Sequence, residues 1–120
     1  MSFLDVYIGY SDDERFKWEG GDWSGNVPRR QSPFFPPKAP FDKLVDKVER
    51  GELNGKQVDW GAWAAKVDKS YIIKFFKESY DEDWYEENPY PPFIEQMNEL
   101  KKFIEELDDT KVYILVASEL

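Results

Sequence analysis

The chain has 120 residues, the length of one domain, and a domain of that size can bury a core of its own without staples. It contains no cysteine and no histidine, which excludes disulfides, thiolate and imidazole metal sites, cysteine nucleophiles and serine–histidine triads. A formal net charge of −9 excludes a nucleic-acid or anionic-membrane binder driven by bulk electrostatics.

Phe3 to Tyr10 predicts a strand, with Leu4, Val6 and Ile8 on one face and Phe3, Asp5 and Tyr7 on the other. Ser11-Asp12-Asp13-Glu14 matches a helix capping box. The same four residues also suit a hairpin loop, with Arg15 to Glu19 returning as a strand before Gly20-Gly21. From Gly20 to Pro40 there is no periodicity, and five of the eight prolines fall here with Trp23, Phe34 and Phe35. Each buried aromatic removes about 150–250 Å² from water, so this long loop is expected to lie ordered against the body of the domain.

Pro40 to Arg50 predicts a short helix, because Phe41, Leu44, Val45 and Val48 follow helical spacing between an initial proline and Gly51. Asn54-Gly55 reads as a turn, and Val58 to Val67 as a second strand whose small residues suit a central position. Lys66 on that strand reads as an edge residue reaching water. Asp68 is placed to cap a helix from Lys69 to about Tyr80. Asp81 to Pro92 reads as an acidic, proline-bounded connection, followed by a helix from about Pro92 to Leu107 with the stripe Phe93, Met97, Leu100, Ile104, Leu107. After Asp108-Asp109-Thr110, Lys111 to Ala117 predicts a third strand. The expected fold is α+β: one two-layer domain over residues 1–120, its small mixed or antiparallel sheet of about three to four strands packed on about three helices.

The charge is not spread evenly. Residues 1–40 carry net −1, residues 41–80 net +1 and residues 81–120 net −9, with 12 acidic groups in that last third. The densest run is Asp81, Glu82, Asp83, Glu86 and Glu87 around Trp84 and Tyr85. Hard cations want several oxygens at once, but a calcium loop alternates its ligands and follows them with glycine. Here Tyr85 falls at the third ligand position and no glycine follows. A second reading makes the run an acidic recognition edge anchored by Trp84 and Tyr85, residue types favoured at binding hot spots. A third makes it a solvated connection whose aromatics turn inward.

Other constellations select no chemistry. Asp5, Asp12, Asp13, Glu14, Glu19 and Asp59 include carboxylates enough for a glycosidase pair, but nothing in their spacing selects two of them. Trp18, Trp23, Trp60, Trp63 and Trp84 lack the interleaved lysine and arginine of a base-stacking platform, and core packing accounts for them. No phosphate loop is present. Lys101 to Leu115, 15 residues, resembles the closing helix and strand of barstar-like ribonuclease inhibitors, an ending shared by α+β domains at large; no site residue is carried across.

Met-Ser-Phe-Leu-Asp opens the chain with an acid and no basic stretch, so no signal peptide is expected and the cytoplasm is the expected location. The leading expectation is a non-catalytic protein-binding or inhibitor module, of the kind small immunity and anti-defence proteins represent. Its surface would be Asp81, Glu82, Asp83, Trp84, Glu86 and Glu87, and its partner a basic protein rather than nucleic acid or membrane. No catalytic residue, metal or cofactor is assigned. The alternative is a carboxylate- and tyrosine-based enzyme or small-molecule binder with a pocket under the 20–40 loop.

Overall fold

The computed structural model describes residues 4–12, 16, 28–33, 35–36, 41–59 and 61–119. Its elements in chain order are β1 (Leu4–Tyr10), α1 (Phe41–Glu49), β2 (Asn54–Asp59), β3 (Ala62–Asp68), α2 (Lys69–Ser79), α3 (Glu82–Glu87), α4 (Pro91–Glu105) and β4 (Val112–Glu119). The strands form one antiparallel sheet in the order β1-β4-β3-β2. The fold is α+β, as composition and periodicity imply.

Local chemistry explains most boundaries. Gly51, at φ 77, closes α1: its amide bonds the Val48 carbonyl at 3.1 Å and the Glu52 amide bonds the Lys47 carbonyl at 2.9 Å, the paired bonds of a Schellman cap. Asp68 caps α2 by accepting from the Tyr71 amide at 2.8 Å. The Lys69 ammonium donates to the Glu105 and Leu107 carbonyls at 2.8 and 3.0 Å. A cation thus meets the open end of α4, where the helix dipole favours it.

Two elements differ from the sequence reading. The strand expected over Val58 to Val67 is a hairpin, β2 turning into β3 between Asp59 and Ala62 with Gly61 at φ 76. Asn54-Gly55 is not the turn but the start of β2. The alternation concealed the fold-back, because the turn, in which Asp59 pairs with Ala62, reverses face parity, and an extra residue between Gln57 and Asp59 reverses it again, so that Gln57 pairs with Trp63. Val58, Ala62 and Ala64 share one face as if the chain were straight. Gly55 has a packing role instead: a Cβ there would lie 2.6 Å from both the Ala64 carbonyl and a Val48 methyl, so its absence lets α1 settle onto β2. Lys66 consequently lies on an interior strand, not at an edge. The second difference is α3, a six-residue helix inside the stretch read as a connection.

The sheet is covered on both faces. The helices bury Leu44, Ile72, Phe75, Met97, Leu100 and Ile104 against Val6, Ile8, Ala65, Val67 and Leu115. The opposite face holds a smaller core of Phe16, Val58, Ala62, Ala64, Ile114 and Val116, with Tyr7 packed against it. Of the predicted arm Arg15 to Glu19, only Phe16 belongs to the described residues.

The proline-rich segment has a role at the sheet edge. The Gln31 and Ser32 amides donate to the Ile8 carbonyl at 3.0 and 3.2 Å, the Phe35 amide donates to Val6 at 2.9 Å, and the Ile8 amide donates to Ser32 Oγ at 2.8 Å. These bonds occupy the outer edge of β1, which would otherwise offer unpaired groups to another strand. Phe35 is buried here; Trp23 and Phe34 lie outside the described residues.

Candidate recognition surface

The acidic run is organised by a cap and a tryptophan. Asp81 accepts from the Trp84 amide at 3.0 Å and starts α3. At the far end the Asn88 amide and its side-chain Nδ2 both donate to the Trp84 carbonyl at 2.9 Å. Both ends of this short helix are therefore closed by its own flanking side chains. With Trp84 turned inward at 4 % exposure, helical spacing puts Glu82 and Glu86 directly outward and Asp83 and Glu87 to one side. Asp81, Glu82, Asp83, Glu86 and Glu87 are all exposed.

A chain of rings holds Trp84 in place. Phe35 lies 6.2 Å from Tyr80 between ring centres, Tyr80 5.1 Å from Trp84, and Trp84 5.2 Å from Tyr85, the last two contacts edge-on. Edge-to-face pairs at such distances each add about 0.5–1.5 kcal/mol beyond the area they bury. Tyr80 donates its hydroxyl to the Pro36 carbonyl at 2.9 Å, and burial pushes its phenol well above the ordinary tyrosine range. It is a structural hydroxyl and not an acid–base group. Tyr85 is half-buried and carries the Lys101 ammonium 5.6 Å from its ring centre.

Beside the carboxylates the chain turns into α4 through Pro89, Tyr90, Pro91 and Pro92. Tyr90 is 57 % exposed, the most exposed large apolar side chain among the described residues, and packs edge-on against half-buried Phe93 at 5.6 Å. The corner thus offers an aromatic anchor, but Tyr90 rather than Trp84. The helical stripe could not reveal it, because Tyr90 precedes that stripe. Its position between prolines was the available signal: the residue before proline is turned out of helical geometry.

The remaining candidates do not converge. Asp12 follows β1 and Asp59 lies on β2, so these carboxylates sit toward opposite edges of the sheet; Asp13, Glu14 and Glu19 lie outside the described residues. Trp63 is on β3 and Trp84 on α3, with no ring contact between them, while Trp18, Trp23 and Trp60 lie outside the described residues. Among the described residues no group of three or more carboxylates is placed to hold a metal ion, and no helix is long and apolar enough to cross a membrane. Comparison with known proteins returns no matching family model, no matching curated protein and no matching solved structure.

Proposed function

We propose that the protein is a non-catalytic protein-binding module, and that the α3–α4 corner is the surface through which it engages a basic partner. The observation that supports this reading most is the division of labour on α3. Trp84 anchors the helix from inside, leaving Asp81, Glu82, Asp83, Glu86 and Glu87 exposed beside Tyr90. Fixed like charges around an exposed ring suit recognition: the charge accelerates encounter with a basic surface, and the ring supplies desolvated contact area once docked.

The test is capture from a lysate of the native host with the wild-type chain and with the five carboxylates reversed to lysine. The wild type should retain a basic protein that raised salt releases and that the reversed chain fails to retain. Tyr90→Ala should weaken the same complex by about 2 kcal/mol, a hot-spot magnitude, with the unfolding midpoint unchanged. Identical capture by the wild-type and reversed chains contradicts the reading.

A further inference from the structure

We propose that the groove between α2 and α4 is a binding site for a small anion with an apolar body, an aryl or medium-chain carboxylate. The groove has a volume of about 410 Å³, within the 300–1,000 Å³ range of ligand pockets. Ile73, Phe76 and Tyr80 from α2 and its C-cap, spaced one helical turn apart, form one wall and Ile104 from α4 the other. Among its hydroxyls this interior has no free hydrogen-bond donor to offer a ligand. Its one hydroxyl, on Tyr80, is already donated to Pro36.

The charged lining residues, Lys77, Lys101 and Glu105, are all exposed. The start of α2 meets the end of α4 through the bonds from Lys69 to the Glu105 and Leu107 carbonyls. Lys101, further back along α4, reaches Tyr85 beyond the end of α2, so the two helices run in opposite directions. Lys77 from α2 and Lys101 and Glu105 from α4 are the charged residues that line the groove.

The two ammonium groups stand out in a chain of net charge −9. Lys101 is one of 3 basic groups against 12 acidic in residues 81–120, yet neither it nor Lys77 makes an ion pair among the described residues. Two lysines lining a groove with Ile73, Phe76 and Ile104 complement an anionic head on an apolar body. The head would be held by the Lys77 and Lys101 ammonium groups and the body would lie against Ile73, Phe76 and Ile104, with the Glu105 carboxylate opposing the charge.

The experiment is a titration of the ¹⁵N-labelled full chain, read by amide shifts, with 4-phenylbutyrate and with 4-phenylbutanol and 4-phenylbutylamine as neutral and cationic counterparts. Phenylbutyrate should produce saturable shifts confined to residues 73–80 and 101–105. The alcohol should bind at least about tenfold more weakly, the factor one charge-assisted hydrogen bond carries, and the amine more weakly still. Lys77→Glu with Lys101→Glu should weaken phenylbutyrate by about tenfold or more without moving the unfolding midpoint, since both side chains are exposed. Glu105→Gln should tighten it. Absence of saturable shifts at millimolar phenylbutyrate, shifts centred elsewhere, or equal binding of the alcohol or amine overturns the proposal. No protein partner takes part, so either outcome leaves the recognition reading of α3 standing or falling on its own test.

Discussion

Two acidic turns of this chain begin with the same device and end differently. Asp81 accepts from the Trp84 amide, and Asp108 accepts from the Thr110 amide at 2.8 Å and the Thr110 hydroxyl at 2.7 Å. Behind Asp81 stands a tryptophan in the core, so the bond starts a helix whose other carboxylates are turned out and held. Behind Asp108 the support is a single tyrosine, whose hydroxyl accepts from the Asp108 amide at 2.7 Å, and the residues 108–111 are all exposed. One turn spends its leading carboxylate on structure and presents four others on a rigid frame. The other presents Asp109, which sits 3.6 Å from Lys69, so part of its charge is already answered. Density of acid in the sequence does not by itself decide how the carboxylates are held; on α3 a core residue fixes the helix that carries them.

The largest expected effect of breaking this contrast is at the core residue. Trp84→Ala should cost about 3–5 kcal/mol, the usual range for emptying a buried tryptophan site, measured by urea unfolding of the full chain. A loss below ~1 kcal/mol would mean that the ring chain does not hold the corner. Asp81→Ala removes the cap and should cost about 1 kcal/mol. It should also increase amide exchange through α3 before any other element, because a six-residue helix has few backbone bonds of its own besides the cap.

The smallest effect concerns the exposed turn. The Thr110 hydroxyl, then its amide, hold the Asp108 carboxyl below the ordinary carboxylate range, with Lys111 and Lys69 adding to the effect. A depressed carboxyl contributes stability above its unfolded pKa and loses it as pH falls through the folded value. Thr110→Val should therefore move the Asp108 titration, followed by carboxyl carbon shifts, upward toward the ordinary value. Identical titration in both proteins would remove the hydroxyl as the cause.

The parts legible in the sequence are those whose periodicity is long and whose caps are side chains. α2 begins at Asp68, as its cap predicts, and the buried Met97, Leu100, Ile104 and Leu107 lie on the predicted stripe. The hairpin of β2 and β3 was hidden because the register shift between Gln57 and Asp59 offsets the parity change at the turn and leaves the alternation intact. α3 was hidden because six residues are fewer than two helical turns, too few for a stripe. The role of residues 30–35 rests mainly on backbone bonds to β1, and backbone bonds leave no side-chain pattern to read. At the corner itself the carboxylates were legible as a cluster. Which aromatic faces water was not, since exposure of Tyr90 follows from the prolines around it and burial of Trp84 from its packing against Tyr80 at the end of α2, itself held by Phe35.

The recognition account is tested most directly by the association rate of the captured partner, measured by stopped flow across a range of ionic strength. The comparison is between the wild-type chain and the chain reversed to lysine at Asp81, Glu82, Asp83, Glu86 and Glu87. Steering sums over the patch, so reversal should slow association by about 10–10³-fold and flatten its salt dependence. The unfolding midpoint should hold or rise slightly, because exposed carboxylates contribute under ~1 kcal/mol each and like charges oppose compaction. An on-rate and salt slope unchanged by the five reversals would contradict the account.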